Sequence, residues 1–119
     1  MADFGVFIGF GFPARGREQG AAGVFQELLQ FLAGQAQKGN LESFEPAFMQ
    51  PHGGDLGGFV LVRGERSKLD AVVASDEFVG ITTRAQLTVE NMGVINVFLG
   101  GEIEKQMGIF LKSAADLSK

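Results

Sequence analysis

Only one side chain in this sequence titrates near neutrality on its own, and it lies in a glycine-rich stretch, Pro51-His52-Gly53-Gly54-Asp55. A histidine with a carboxylate three residues on can act as a general base or acid, the aspartate orienting the ring. His52 and Asp55 are therefore the candidate catalytic pair. The plainer reading is a loop histidine exposed to water, because no neighbouring residue adds chemistry to it. One histidine cannot close a zinc site, so no metal is expected, although a single imidazole suffices as a proximal haem ligand.

Binding candidates come from charge in phase with apolar residues and from missing side chains. Arg63 continues the alternation of Phe59 and Leu61, so it must be paired, snorkel to water or line a pocket. Arg84 sits in a stretch that is ambiguous between helix and strand and is a second arginine candidate. Phe4 to Phe12 alternates strictly, with Phe4, Val6, Ile8, Phe10 and Phe12 on one face and Gly5, Phe7, Gly9 and Gly11 on the other. A glycine row permits either close backbone approach or space for a ligand. Phe7, Gly9 and Gly11 thus join Arg63 and Arg84 as ligand-binding candidates.

Two motif matches fail on context. Gly9-Phe10-Gly11-Phe12-Pro13-Ala14 fits a dinucleotide fingerprint, but Pro13 and Gly16 postpone the helix that must receive the pyrophosphate. Gly58-Phe59-Val60-Leu61-Val62 is a weak match to an RNA-binding strand motif, yet it lacks the leading basic residue and the paired aromatics. Arg15 and Arg17 before a helix start could add to an anion site, but solvation or pairing with Glu18 is simpler. Met49, Met92 and Met107 read as core filler.

Composition narrows the classes further. A net charge of −4 argues against nucleic acid or an anionic membrane as partner. With no cysteine, thiolate nucleophiles, disulfides and Fe–S clusters are excluded, and with no tyrosine or tryptophan all twelve aromatics are Phe. No apolar run approaches the ~20 residues that span a bilayer. The opening Met-Ala-Asp-Phe lacks a basic signal-peptide start, so a cytoplasmic protein is the expectation.

The elements that must position these residues follow in order. After the first strand, helical spacing of Ala21, Val24, Phe25, Leu28, Leu32 and Ala36 predicts a helix over residues 17–38, stopped by Lys38-Gly39-Asn40. Leu41 to Gln50 reads as a strand weakened by Pro46, hence an edge. The His52–Asp55 turn leads into a strand from Gly58 to Arg63. Ser67-Lys68-Leu69-Asp70 fits a capping box opening a short helix through Val73, and Ser75-Asp76-Glu77 fits a second N-cap. Residues 76–89 stay open between helix and strand, since Val79 to Thr83 favours strand. Asn91-Met92-Gly93 turns into a strand from Val94 to Leu99. A last helix carries Ile103, Met107, Phe110, Leu111, Ala114 and Leu117 on one stripe.

This order predicts an α+β, ferredoxin-like βαββαβ fold with an extra C-terminal helix, as a single domain over residues 1–119. Its four-stranded antiparallel sheet has the first and third strands central. Phe59 and Leu61 oppose Val60 and Val62 on the third strand, and Val94 and Phe98 oppose Ile95 and Val97 on the fourth, so both sheet faces are apolar. Helices in this topology cover one face. The other would leave a patch larger than monomers tolerate, and a second copy is the simplest cover, with the sheets pairing face to face in a homodimer.

The Phe-rich first strand, the His-Gly-Gly-Asp turn into Gly-Phe-Val-Leu-Val, the Ser-Asp-Glu-Phe helix start and the Gly-Glu-Ile-Glu-Lys-Gln-Met final helix together resemble the dimeric α/β-barrel superfamily. That superfamily includes cofactor-free antibiotic monooxygenases, muconolactone isomerases, YCII-like proteins and haem-handling enzymes. The resemblance implies a homodimer with a small-molecule pocket beside each sheet. It carries over no catalytic set: tryptophan is absent, and His52 with Asp55 only loosely echoes a YCII-like site. The expected function is binding of a small apolar metabolite, or a cofactor-independent reaction on one, with no cofactor. A non-catalytic structural or interaction dimer is the alternative, and haem handling through His52 a third reading.

Overall fold

The structure is a computed structural model describing residues 2–118 of the 119. Its elements run β1 (Phe4–Phe10), α1 (Glu18–Gln37), β2 (Ser43–Phe48), β3 (Gly58–Gly64), α2 (Arg66–Ala74), α3 (Asp76–Gln86), β4 (Gly93–Phe98) and α4 (Gly101–Leu117). The strands form one sheet in the order β2-β3-β1-β4, every neighbouring pair antiparallel. This is the expected ferredoxin-like arrangement. Both apolar strands β1 and β3 are central, and β2 with Pro46 is an edge, where a missing N–H costs no ladder bond.

Period-2 alternation in β1 and β3 splits the sheet cleanly. Val6, Ile8, Val60 and Val62 point to one face and are fully buried. Against them pack Leu28, Phe31 and Leu32 of α1, Leu69 and Val72 of α2, and Phe78 and Ile81 of α3. The other face presents Phe7, Phe59, Leu61, Arg63, Ile95 and Val97, which register places side by side. These are half-buried or exposed, Ile95 at 61%.

Helix ends show which local signals operate. α1 stops in a Schellman arrangement: Gly39, at φ +78°, donates to the Ala36 carbonyl at 3.0 Å, and Asn40 donates to that of Gln35 at 2.9 Å. Ser75 caps α3 as predicted, its hydroxyl accepting from the Phe78 N–H at 3.2 Å. That cap, with Phe78 and Ile81 buried in the core, resolves residues 76–86 as helix despite their β-branched run.

Two expectations need correction. α2 begins at Arg66 with Glu65 at its N-cap and no side-chain cap, so Ser67 lies inside the helix and the capping box does not form. The second strand is shorter than residues 41–50, because Leu41 leaves the ladder to enter the core. β4 is the other sheet edge, as central first and third strands imply, and its Val94, Ile95 and Phe98 are all exposed. No helix among the described residues is long and apolar enough to cross a membrane.

Candidate functional site

A large concavity lies on the helix-covered side of the sheet. It is a cleft of about 690 Å³ between the C-terminal end of β1 and helices α1 and α3. Ile8 and Phe10 form its floor, Val24 and Phe25 one wall, Ile81 and Ala85 the other. Phe10, Phe25 and Phe48 make a ring cluster there. Phe25 and Phe48 are 5.1 Å apart between centroids, and Phe10 meets both edge-on at 5.7 and 6.3 Å. Phe48 is 74% exposed, so the cluster continues from the interior to the mouth. Such edge-to-face arrays favour another flat or apolar group laid against them.

Polar atoms in the cleft are few. Thr88 donates its hydroxyl to the Arg84 and Ala85 carbonyls at 3.3 and 3.1 Å, and Thr82 donates to the Val79 carbonyl at 3.1 Å. Both hydroxyls keep lone pairs for a ligand donor. Glu18 and Gln26 complete the polar lining, and both are exposed. Among the described residues no group of His, Asp or Glu is arranged to hold a metal ion.

Gly11 is the one sequence candidate in the cleft lining. A Cβ there would stand 2.7 Å from the Glu90 carbonyl oxygen and 2.8 Å from that of Asp55, both backbone atoms. Its bareness lets the end of β1, the loop before β3 and the segment before β4 converge on the cleft. The N–H of Gly11 donates to the Glu90 carbonyl at 2.7 Å, fixing that convergence.

The other candidates are dispersed. Phe7 and Gly9 lie on the opposite sheet face, where Phe7 stacks on Phe59 at 5.0 Å. The glycine row there is close packing: a Cβ on Gly5 would sit 2.6 Å from the Val62 carbonyl oxygen, and one on Gly9 would meet the Phe7 ring at 2.7 Å. Arg63 shares that face, level with Gly5 and Ser43. Arg84 points away from the cleft and forks onto Glu27 Oε1, its Nε at 3.1 Å and its Nη2 at 2.5 Å, tying α3 to α1.

His52 is exposed, and both ring nitrogens bond to its own loop. Nδ1 accepts from the Gly54 N–H at 3.2 Å, so Nε2 carries the proton and donates to the Leu56 carbonyl at 2.7 Å. The ring thus folds the loop between β2 and β3 back on itself, and its bonds go to backbone atoms with none to Asp55. Phe25, Phe48, Ile81 and Ala85 went unsingled in the sequence as site residues. The one signal for them was an apolar helix stripe with a Phe at β2's end.

No family model matches the chain, and no curated relative does. Solved structures do match. A dimeric protein of unknown function and ferredoxin-like fold from Bacteroides fragilis superposes with a TM-score of 0.57 at 10% identity, over 81% of this chain and 96% of that one. A dimeric ferredoxin-like protein from Thermobifida fusca gives 0.62 at 9% identity, over 83% and 93%. SnoaB, a cofactor-independent oxygenase from Streptomyces nogalater, gives 0.56 at 13% identity, over 83% and 95%. The fold they share with this chain is ferredoxin-like. At these identities the likeness concerns architecture, and the cleft residues must speak for themselves.

Proposed function

We propose that this protein is a homodimer that binds one small, apolar molecule per chain in the cleft between β1, α1 and α3. The observation that carries the binding reading is the cleft itself. At about 690 Å³ it falls within the range of small-molecule sites, and its walls are almost wholly hydrocarbon. A few groups that accept hydrogen bonds, the Thr82 and Thr88 hydroxyls, stand ready to orient a ligand.

The homodimer reading draws on the bare sheet face and on the dimers formed by its structural neighbours. In it Arg63, Phe7 and Gly9 belong to the subunit contact, Arg84 braces the two helices that wall the cleft, and His52 with Asp55 shapes the loop beside it. The cofactor-independent oxygenase among the neighbours extends the reading to a reaction on the bound molecule without a cofactor. Among the described residues Glu18 is the only ionisable side chain lining the cleft, and it sits exposed at the rim. Binding is therefore what the walls support directly.

Titration with N-phenyl-1-naphthylamine, a neutral fluorescent probe, tests this. The expected result is saturable blue-shifted emission at one probe per chain, with a dissociation constant on the order of 10 µM. Linear, unsaturated uptake up to roughly 100 µM would contradict it.

A further inference from the structure

Helix α4 is amphipathic the wrong way round for its own subunit. None of its side chains is buried, and the two drawn in toward the body are Glu102 and Gln106, bonded to each other at 3.1 Å. The apolar stripe faces water instead: Ile103 is 51% exposed, Met107 54%, Phe110 57% and Leu111 62%. A polar inner side with an apolar outer side inverts the pattern of a helix packed on its own core.

The base of this helix is nonetheless fixed. The Leu99 N–H donates to the Asp3 carbonyl at 2.8 Å, and an Asp3 carboxylate oxygen accepts from the Gly101 N–H at 3.2 Å. Gly100 makes the turn at φ +50°, ψ −131°, where a Cβ would stand 2.6 Å from that carboxylate. The helix is thus aimed outward from a hydrogen-bonded turn. The radius of gyration, 16.5 Å, exceeds the ~13.5 Å of a compact chain this long, and the longest dimension is 55 Å.

We infer that α4 is an arm whose apolar stripe packs on a second copy of this chain, beside the paired sheets. This rests on the homodimer reading and adds the element that completes it. Area supports that occupant. Four strands spaced ~4.8 Å apart and about six residues long offer a footprint of only about 400 Å². A standard interface takes roughly 800 Å² from each partner. A 17-residue helix, about 25 Å long, supplies much of the missing area, and two-fold symmetry lets each copy give and receive one arm. The arm also follows directly from β4, whose Ile95 and Val97 lie on the bare face.

The test is a Met107→Glu, Phe110→Glu, Leu111→Glu triple variant, which alters only side chains already exposed in the single chain. Sedimentation equilibrium should show its dimer dissociation constant raised at least about 100-fold over wild type. In the wild-type dimer the α4 amides should be protected from hydrogen exchange, and dilution to monomer should remove that protection. A variant that dimerises like wild type, or α4 amides unprotected in the dimer, would overturn the arm while leaving the sheet-to-sheet pairing. A wild-type chain that stays monomeric would overturn both.

Discussion

A Gly5→Val variant is expected to lose about 3–5 kcal/mol of folding stability, enough to lower the melting temperature by more than ~10 °C. Gly5 lies in the central strand β1, opposite Arg63 on one side and Val97 on the other. Its missing Cβ would sit 2.6 Å from the Val62 carbonyl oxygen, and Leu99 and Val97 side chains close in at 2.9 and 3.2 Å. The nearest of these is backbone in a paired strand, so the sheet itself must shift to admit a side chain. Gly23→Ala is the matched control. Gly23 lies within α1 with nothing within 4 Å of its would-be Cβ, so alanine there should gain roughly 0.5–1 kcal/mol. Urea denaturation of both variants checks the pair, and a Gly5→Val protein as stable as wild type would show the strand to be more yielding than its packing implies.

The second large effect is expected at the cleft. Ala85→Glu should weaken N-phenyl-1-naphthylamine binding by at least about 100-fold while leaving stability within ~1 kcal/mol. Ala85 is half-buried on the α3 wall. In the empty cleft a glutamate there stays in contact with water, and it is a good helix former. An apolar ligand would strip that water and leave the charge unpaired, because among the described residues no cation lines the cleft. Fluorescence titration and urea melts read the two quantities separately. Unchanged affinity would place the bound probe elsewhere, the exposed α4 stripe being the obvious alternative.

How far the sequence anticipates this structure depends on how local each signal is. The strict alternation of Phe4 to Phe12 and the 3.6-residue spacing of α1 are local patterns; the helix appears as read, and the strand appears but ends at Phe10. The edge position of β2 follows from one residue, Pro46. Val79 to Thr83 is ambiguous by propensity, and the burial of Phe78 and Ile81 against α1 and the sheet settles it, which is tertiary information. The cleft was out of reach for a different reason. Its walls combine Phe10, Phe25, Phe48, Ile81 and Ala85, far apart in the chain and none of them polar. A search for chemistry goes first to His52, Asp55 and the arginines, which the fold scatters over a loop, an open sheet face and a helix exterior. The stripe of α4 was legible as a helix, but periodicity is silent on whether an apolar stripe points inward or out.

The homodimer depends most on the bare sheet face, whose apolar residues β1, β3 and β4 present together with no helix among the described residues to cover them. Sedimentation velocity at micromolar concentration measures its consequence directly. A species of twice the 12.7 kDa chain mass is the predicted result. A single boundary at 12.7 kDa, unchanged as concentration rises, would contradict it.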